Sequence, residues 1–198
     1  MKYFLKFLLI LLSSLAGARG GYAQKQGQSL IDSLLKELPK QKEDTNKVKL
    51  LNSLSYSYPS ISPDEGLKYG EQGLDLSTRL DWEKGIASTN NNLGTNYFYK
   101  SDYPTALQYY FKTLKLDEET GNKKGIANVA TTCIGNVYIQ QSDYSKALEY
   151  DFKALKLDEE IGNKNGIASV NGNIGSVYNL QNDYPKALEY DFKALKLK

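Results

Sequence analysis

Hydrophobic residues in the C-terminal half of the chain recur in steps of three and four. Between residues 166 and 180 the apolar positions are Ile167, Val170, Ile174, Val177 and Tyr178, the spacing of one face of an α-helix. The same pattern predicts helices over about 85–99 and 125–140. A polar turn closes each: Lys100-Ser101-Asp102, Gln141-Ser142-Asp143 and Gln181-Asn182-Asp183. Asp in such a turn is suited to cap a following helix, and Pro104 or Pro185 fits its first turn, where no helical N–H is needed. A second helix is predicted over about 145–161 in the middle copy, with Gly162 just past its end, where a left-handed residue is wanted. That helix carries two apolar stripes: Ala147, Tyr150, Ala154 and Leu157, and then Leu148, Phe152 and Leu155. A helix wet on one side needs one stripe; two predict contact with both a hairpin partner and a neighbouring unit. On the remaining strip, Glu149 with Lys153 and Glu189 with Lys193 place opposite charges four residues apart.

The hairpins repeat. Residues 143–157 and 183–197 differ at one position of fifteen, Ser145 against Pro185, and residues 102–116 match the last copy at eleven of fifteen. Gly-Ile-Ala recurs at Gly85, Gly125 and Gly166, a period of 40 and then 41 residues. Nine of the sixteen tyrosines fall at three fixed places per unit, led by Tyr97, Tyr138 and Tyr178. Such regularity marks packing between repeats rather than sugar stacking.

Each first helix holds an apolar residue, Gly and a Tyr three residues on: Leu93-Gly94 with Tyr97, Ile134-Gly135 with Tyr138, and Ile174-Gly175 with Tyr178. Each second helix holds spaced small residues: Ala106 with Thr113, Ala147 with Ala154, and Ala187 with Ala194. These residues resemble the tetratricopeptide repeat, from about residue 44 to the C-terminus. The resemblance implies an all-α, right-handed α-solenoid of stacked antiparallel helical hairpins. Three departures stand out. The usual first-helix Trp is Asn90, Thr131 and Asn171, and the period exceeds the usual 34, as in a 40-residue subtype. A large apolar residue of the second helix is Tyr110 but then Asp151 and Asp191, carboxylates expected to reach solvent or a donor.

Units are assigned at 44–84 (a worn copy), 85–124, 125–165 and 166–198. In the worn copy Gly66, Gly70 and Gly73 stand in helical positions, each costing about 0.5–1 kcal/mol relative to Ala. Residues 24–43 hold a short amphipathic helix, with Leu30, Leu34, Leu35 and Leu38 on one side, and a linker; they are read as an N-terminal cap. No cap follows the last unit, where Ala187, Phe192, Leu195 and Leu197 would form an open face. The expectation is that the chain is the N-terminal part of a longer protein.

Residues 1–23 read as a cleavable export signal. Lys2 and Lys6 precede an apolar run over 7–12, small residues follow, and cleavage is placed near Ala23. The run is too short for a retained membrane span, and no Cys is near for a lipid anchor. Export places the protein in the periplasm or outside the cell. The segment carries Lys2, Lys6 and Arg19, so 25 basic residues fall to 22 against 23 acidic ones, near −1. No clustered positive face points to nucleic acid.

The chain has no His, which removes the commonest general base and metal ligand. Its one Cys, Cys133, reads as a small buried side chain. The acidic runs at 117–119 and 158–160 lack a calcium-loop pattern, and the Gly-Asn-Lys segments lack the strand and Lys-Ser/Thr of a phosphate loop. No catalytic residue, metal site, cofactor or small-molecule substrate is expected. In the resembled family, partner peptides lie on the concave surface of the first helices. Carried over, this points to Asn91, Thr95 and Tyr99, to Thr132, Asn136 and Gln140, and to Ser176 and Asn179. Their amides and hydroxyls suit an extended peptide backbone. The function expected is a noncatalytic protein- or peptide-binding scaffold of a bacterial envelope. The alternative is the sensory half of a membrane signalling protein whose kinase, cyclase or transcriptional output lies beyond Lys198. A membrane is involved only if the chain continues into a span.

Overall fold

The computed structural model describes residues 27–196, so the segment expected to be an export signal and Leu197 lie outside the described residues. Within them the chain is a row of antiparallel helical hairpins: α1 (27–37), α2 (Thr45–Ser57), α3 (Pro63–Arg79), α4 (Glu83–Tyr99), α5 (Tyr103–Glu119), α6 (Lys123–Asn128), α7 (Asn136–Gln140), α8 (Tyr144–Glu160), α9 (Lys164–Leu180) and α10 (Tyr184–Leu195). Among the described residues there is no strand. Each helix packs mainly on its chain neighbours, which is how a solenoid holds together.

Local signals set the helix ends. Asp102, Asp143 and Asp183 accept hydrogen bonds from the backbone N–H of Thr105, Lys146 and Lys186, so all three act as N-caps. Gly121 and Gly162 take left-handed φ values of 67° and 65° after α5 and α8. Within each hairpin the tyrosines stack: Tyr97 on Tyr109, Tyr138 on Tyr150 and Tyr178 on Tyr190, with centroids 5.5–5.7 Å apart. The small signature residues lie where helices cross. Ala106, Ala147 and Ala154 are wholly buried, and a Cβ on Gly94 would stand 2.6 Å from the Tyr110 ring.

The helix expected over 125–140 is interrupted. A π-helical segment, Val129–Gly135, separates α6 from α7. Gly85 and Leu93 are eight residues apart, as are Gly166 and Ile174, but Gly125 and Ile134 are nine. Alignment of the copies places the extra residue at Ala130, and a single π turn absorbs it without breaking the helix. The hydrogen bonds show the slip. Asn90 and Asn171 donate to the carbonyls of Ile86 and Ile167, whereas Thr131 donates to Ala127, one position later in the repeat.

The glycines expected to weaken residues 44–84 have a packing reason. A Cβ on Gly66 would collide with the Asn96 amide, and one on Gly70 would lie 2.6 Å from Leu93. They let α3 approach α4 closely, offsetting their conformational cost. Here α2 and α4 meet through buried polar groups. Thr89 Oγ1 donates to Asn52 Oδ1 at 2.7 Å, Asn92 Nδ2 to the Asn52 carbonyl at 3.0 Å, and Asn96 Nδ2 to the Ser55 carbonyl at 3.0 Å. Later units are joined by Val129, Ile134, Val170 and Ile174 instead. On the wet face, Lys193 pairs with Glu189 at 2.7 Å, but Lys153 reaches Glu118 of the preceding unit at 3.2 Å rather than Glu149.

Candidate functional site

The first helices α4, α6–α7 and α9 lie side by side and present rows of polar side chains on one surface. Along α4 the row is Asn91, Thr95 and Tyr99; along the π segment and α7 it is Thr132, Asn136 and Gln140; on α9 it is Ser176 and Asn179. Spacing of three and four residues puts each row on one helix face. Asn91 and Thr95 are half-buried, whereas Tyr99, Thr132, Asn136, Gln140, Ser176 and Asn179 are exposed. Neighbouring rows meet at Asn91, whose Oδ1 accepts from Cys133 Sγ at 3.2 Å across the boundary between units.

Much of the donor capacity of these rows is spent within their own helices. Thr95 Oγ1 donates to the Asn91 carbonyl at 3.0 Å, and Thr132 Oγ1 to Asn128 at 2.7 Å. Asn136 Nδ2 donates to the Thr132 carbonyl at 2.7 Å, and Ser176 Oγ to Gly172 at 2.9 Å. The three hydroxyls are thereby left outward as acceptors, while Asn91, Gln140 and Asn179 keep amide N–H groups that donate to no described residue.

One turn towards the helix starts, the structure adds residues that the sequence reading did not single out. Two cavities open at successive unit boundaries. The first, of about 220 Å³, has Lys84, Ser88, Asn91, Asp117, Asn122 and Asn128 among its lining residues. The second, of about 120 Å³, has Lys124, Asn128, Thr132, Asp158, Asn163 and Ser169. Lys84 recurs as Lys124, Ser88 as Asn128 and Ser169, and Asp117 as Asp158; the 40-residue period is the signal that could have found them.

The titratable groups behind this surface follow their burial. Cys133 is nearly inaccessible, and burial pushes its thiol up to about 11. Tyr110, packed over Gly94, is likewise pushed up by burial. Asp151 corrects the sequence reading. It reaches neither solvent nor a donor: it is 1% exposed and both carboxylate oxygens lack a hydrogen-bond partner. Asp191, the same position one unit later, is exposed. The hairpin α9–α10 packs on α8, while no described element packs beyond α10. Burial drives Asp151 up to about 7.

Residues 125–198 match the tetratricopeptide repeat family. No curated protein matches the chain. Among solved structures, BtubC (BKLC) from P. vanneervenii aligns with a TM-score of 0.68 at 21% identity, over 90% of this chain and 74% of that one. A Rap protein complexed with competence and sporulation factor gives 0.77 at 20% identity, over 90% of this chain and 52% of that one. A signal transduction ATPase with a tetratricopeptide repeat sensor, from Pyrococcus horikoshii, gives 0.74 at 20% identity, over 86% and 26%. The chain thus spans about half the length of the Rap protein and about a quarter of the ATPase. Identities this low establish a shared helical-repeat fold. Against that fold, the polar rows lie on the surface formed by the first helices of each repeat, and the three best-kept copies contribute one row each.

Proposed function

We propose that this chain is a noncatalytic scaffold that holds an extended peptide or protein segment along the polar rows of α4, α6–α7 and α9. The observation that carries the reading is the recurrence, on successive first helices, of side chains whose donors are spent within the helix and whose oxygens are left as acceptors: Thr95, then Thr132 and Asn136, then Ser176. An extended peptide presents N–H groups along its length, and a row of acceptors can take them with little dependence on sequence. A fold shared with a Rap protein that binds competence and sporulation factor supports the reading. The groove has no histidine and no buried ion pair that would activate a nucleophile. The apolar run and small residues before Ala23 support export to the envelope of a bacterium.

A second reading makes the array the sensory half of a longer envelope signalling protein. It is favoured by the apolar face of α10, where Leu188, Phe192 and Leu195 are 56–63% exposed while Leu148 and Leu155 of α8 are half-buried. It is supported further by the fold shared with an ATPase that carries a repeat sensor. An open reading frame past Lys198 that encodes about 20 apolar residues and a new domain favours this reading; a stop codon there rejects it.

The scaffold reading is tested by selecting peptides from a random library on the chain and measuring their binding by fluorescence anisotropy. Changing Asn91, Asn136 and Asn179 together to Ala is expected to weaken selected peptides by about tenfold or more. Binding unchanged in the triple variant sinks the groove assignment.

A further inference from the structure

The two boundary cavities share a feature that packing does not explain. Asp117 and Asp158 are 6% and 3% exposed, yet each uses one carboxylate oxygen only. Oδ1 of Asp117 accepts from Asn122 Nδ2 at 2.8 Å, and Oδ1 of Asp158 from Asn163 Nδ2 at 2.7 Å. Neither Oδ2 accepts a hydrogen bond among the described residues, and each carboxylate lines its cavity. Both Asp residues stand in the last turn of α5 and α8 but lie against Gly125 and Gly166 in the first turn of α6 and α9, so the two helix dipoles act on them in opposite senses. Among the described residues no cation pairs with either one. Lys84 and Lys124 line the cavities without bridging to the carboxylates, and for Asp117 burial raises the carboxyl with only the Asn122 bond opposing it.

The fold itself does not need this arrangement. At the boundary between α3 and α4 the equivalents are Ser77 and Trp82, packed against Gly85, and the same turn forms with no carboxylate. Two of the three boundaries thus carry a buried, half-satisfied carboxylate beside a void several times a water's share of liquid volume, about 30 Å³. Neither Oδ2 is a fully enclosed atom: each opens on its cavity, where a cationic donor can reach it.

We infer that each of these cavities is a subsite for a cationic side chain, a guanidinium above all, of a peptide lying along the groove, with Asp117 and Asp158 as the anionic floors. The inference rests on the groove reading and specifies its ligand: a peptide with basic residues spaced to reach successive unit boundaries. Each carboxylate offers its free Oδ2 to a guanidinium, while the neighbouring Asn122 or Asn163 holds the carboxylate through Nδ2 and caps the next helix through Oδ1. Ser88, Asn128 and Ser169 also line these cavities and supply polar groups for the peptide backbone.

The test is an amide-resonance titration of the isotope-labelled chain with N-acetyl-arginine methylamide, against the citrulline analogue, which has nearly the same shape and no charge. Shifts are expected at Gly125 and Gly166, which border the two carboxylates, with the arginine probe binding about tenfold or more tighter than citrulline. Asp117→Asn, which preserves shape, should remove the Gly125 response alone, and Asp158→Asn the Gly166 response alone. Gly85, beside Ser77 and Trp82, should not respond in any variant. No response to arginine, an equal response to citrulline, or a response that survives both substitutions overturns the assignment. If the arginine probe fails in one of these ways while a neutral library peptide still binds in a way that depends on Asn136, the groove reading stands and only the cationic subsites fall.

Discussion

Cys133 Sγ donates to Asn91 Oδ1 at 3.2 Å, tying the π-helical segment of one hairpin to the first helix of the hairpin before it. The same repeat position makes the boundary contact one unit earlier, where Asn92 Nδ2 donates to the Asn52 carbonyl. The thiol is buried and held at about 11, so at pH 8 only a very small fraction is thiolate. Its reaction with an aromatic disulfide reagent is expected to be about a hundredfold or more slower than in the urea-unfolded chain. Stopped-flow absorbance checks this, and comparable rates in both states would show that the π segment opens readily.

Asp151 predicts an unusual dependence of stability on pH. Its folded value, about 7, lies above the unfolded 3.8. The folded state therefore binds more protons between these values, and stability falls as pH rises through them. The contribution is fully present below pH 3.8 and lost above about 7, a swing of up to about 4 kcal/mol at about 1.4 kcal/mol per unit. Asp151→Asn should flatten the profile and be the more stable protein at pH 8.5. Urea titrations at pH 5 and 8.5 check this; a variant with the parent's slope would mean that Asp151 finds a partner in solution.

These two residues also mark how far the sequence could be read. The hairpins, their Asp caps, the stacked tyrosines and the polar rows all follow from period and residue type, because each depends on neighbours within one unit. The π segment was written in the change from a 40- to a 41-residue spacing, but spacing alone does not say whether an extra residue lengthens a turn or bulges a helix. Asp151 and Asp191 are identical in local sequence and differ only in what stacks above them, which no local pattern encodes. The buried amides Asn52, Asn92 and Asn96 were missed for a similar reason. Their partners lie 36–41 residues away, on the neighbouring hairpin.

Two glycines in helix interiors should respond oppositely to the same substitution. Gly94 faces Tyr110, and a Cβ there would stand 2.6 Å from Cε1 of a ring held by burial. Gly94→Ala is expected to destabilise by about 1–3 kcal/mol despite its better helix propensity. Gly172, within α9, has nothing within 4 Å of the position that an added methyl would take. Gly172→Ala should therefore stabilise by about 0.5–1 kcal/mol. Chemical denaturation of the pair checks the contrast. Equal effects would mean that the α4–α5 crossing is looser than its geometry indicates.

The near-identity of α8 and α10 allows stacking to be measured with sequence held almost constant. Leu148 and Leu188 sit in the same local string, Lys-Ala-Leu-Glu-Tyr-Asp-Phe-Lys-Ala-Leu. Leu148 packs against the cluster of Ala127, Ala154, Val170 and Ile174, whereas Leu188 is 56% exposed. Propensity, charge context and i, i+4 neighbours are shared, so any difference between the two sites comes from the next hairpin. Leu148→Ala is expected to cost about 1–2 kcal/mol, because part of the side chain's buried area is lost and a gap remains. Leu188→Ala should change stability by less than about 0.5 kcal/mol. If Leu188→Ala proves as costly as Leu148→Ala in urea titrations at micromolar protein, α10 is covered in solution, and the dependence of that cost on protein concentration would tell whether a second copy covers it.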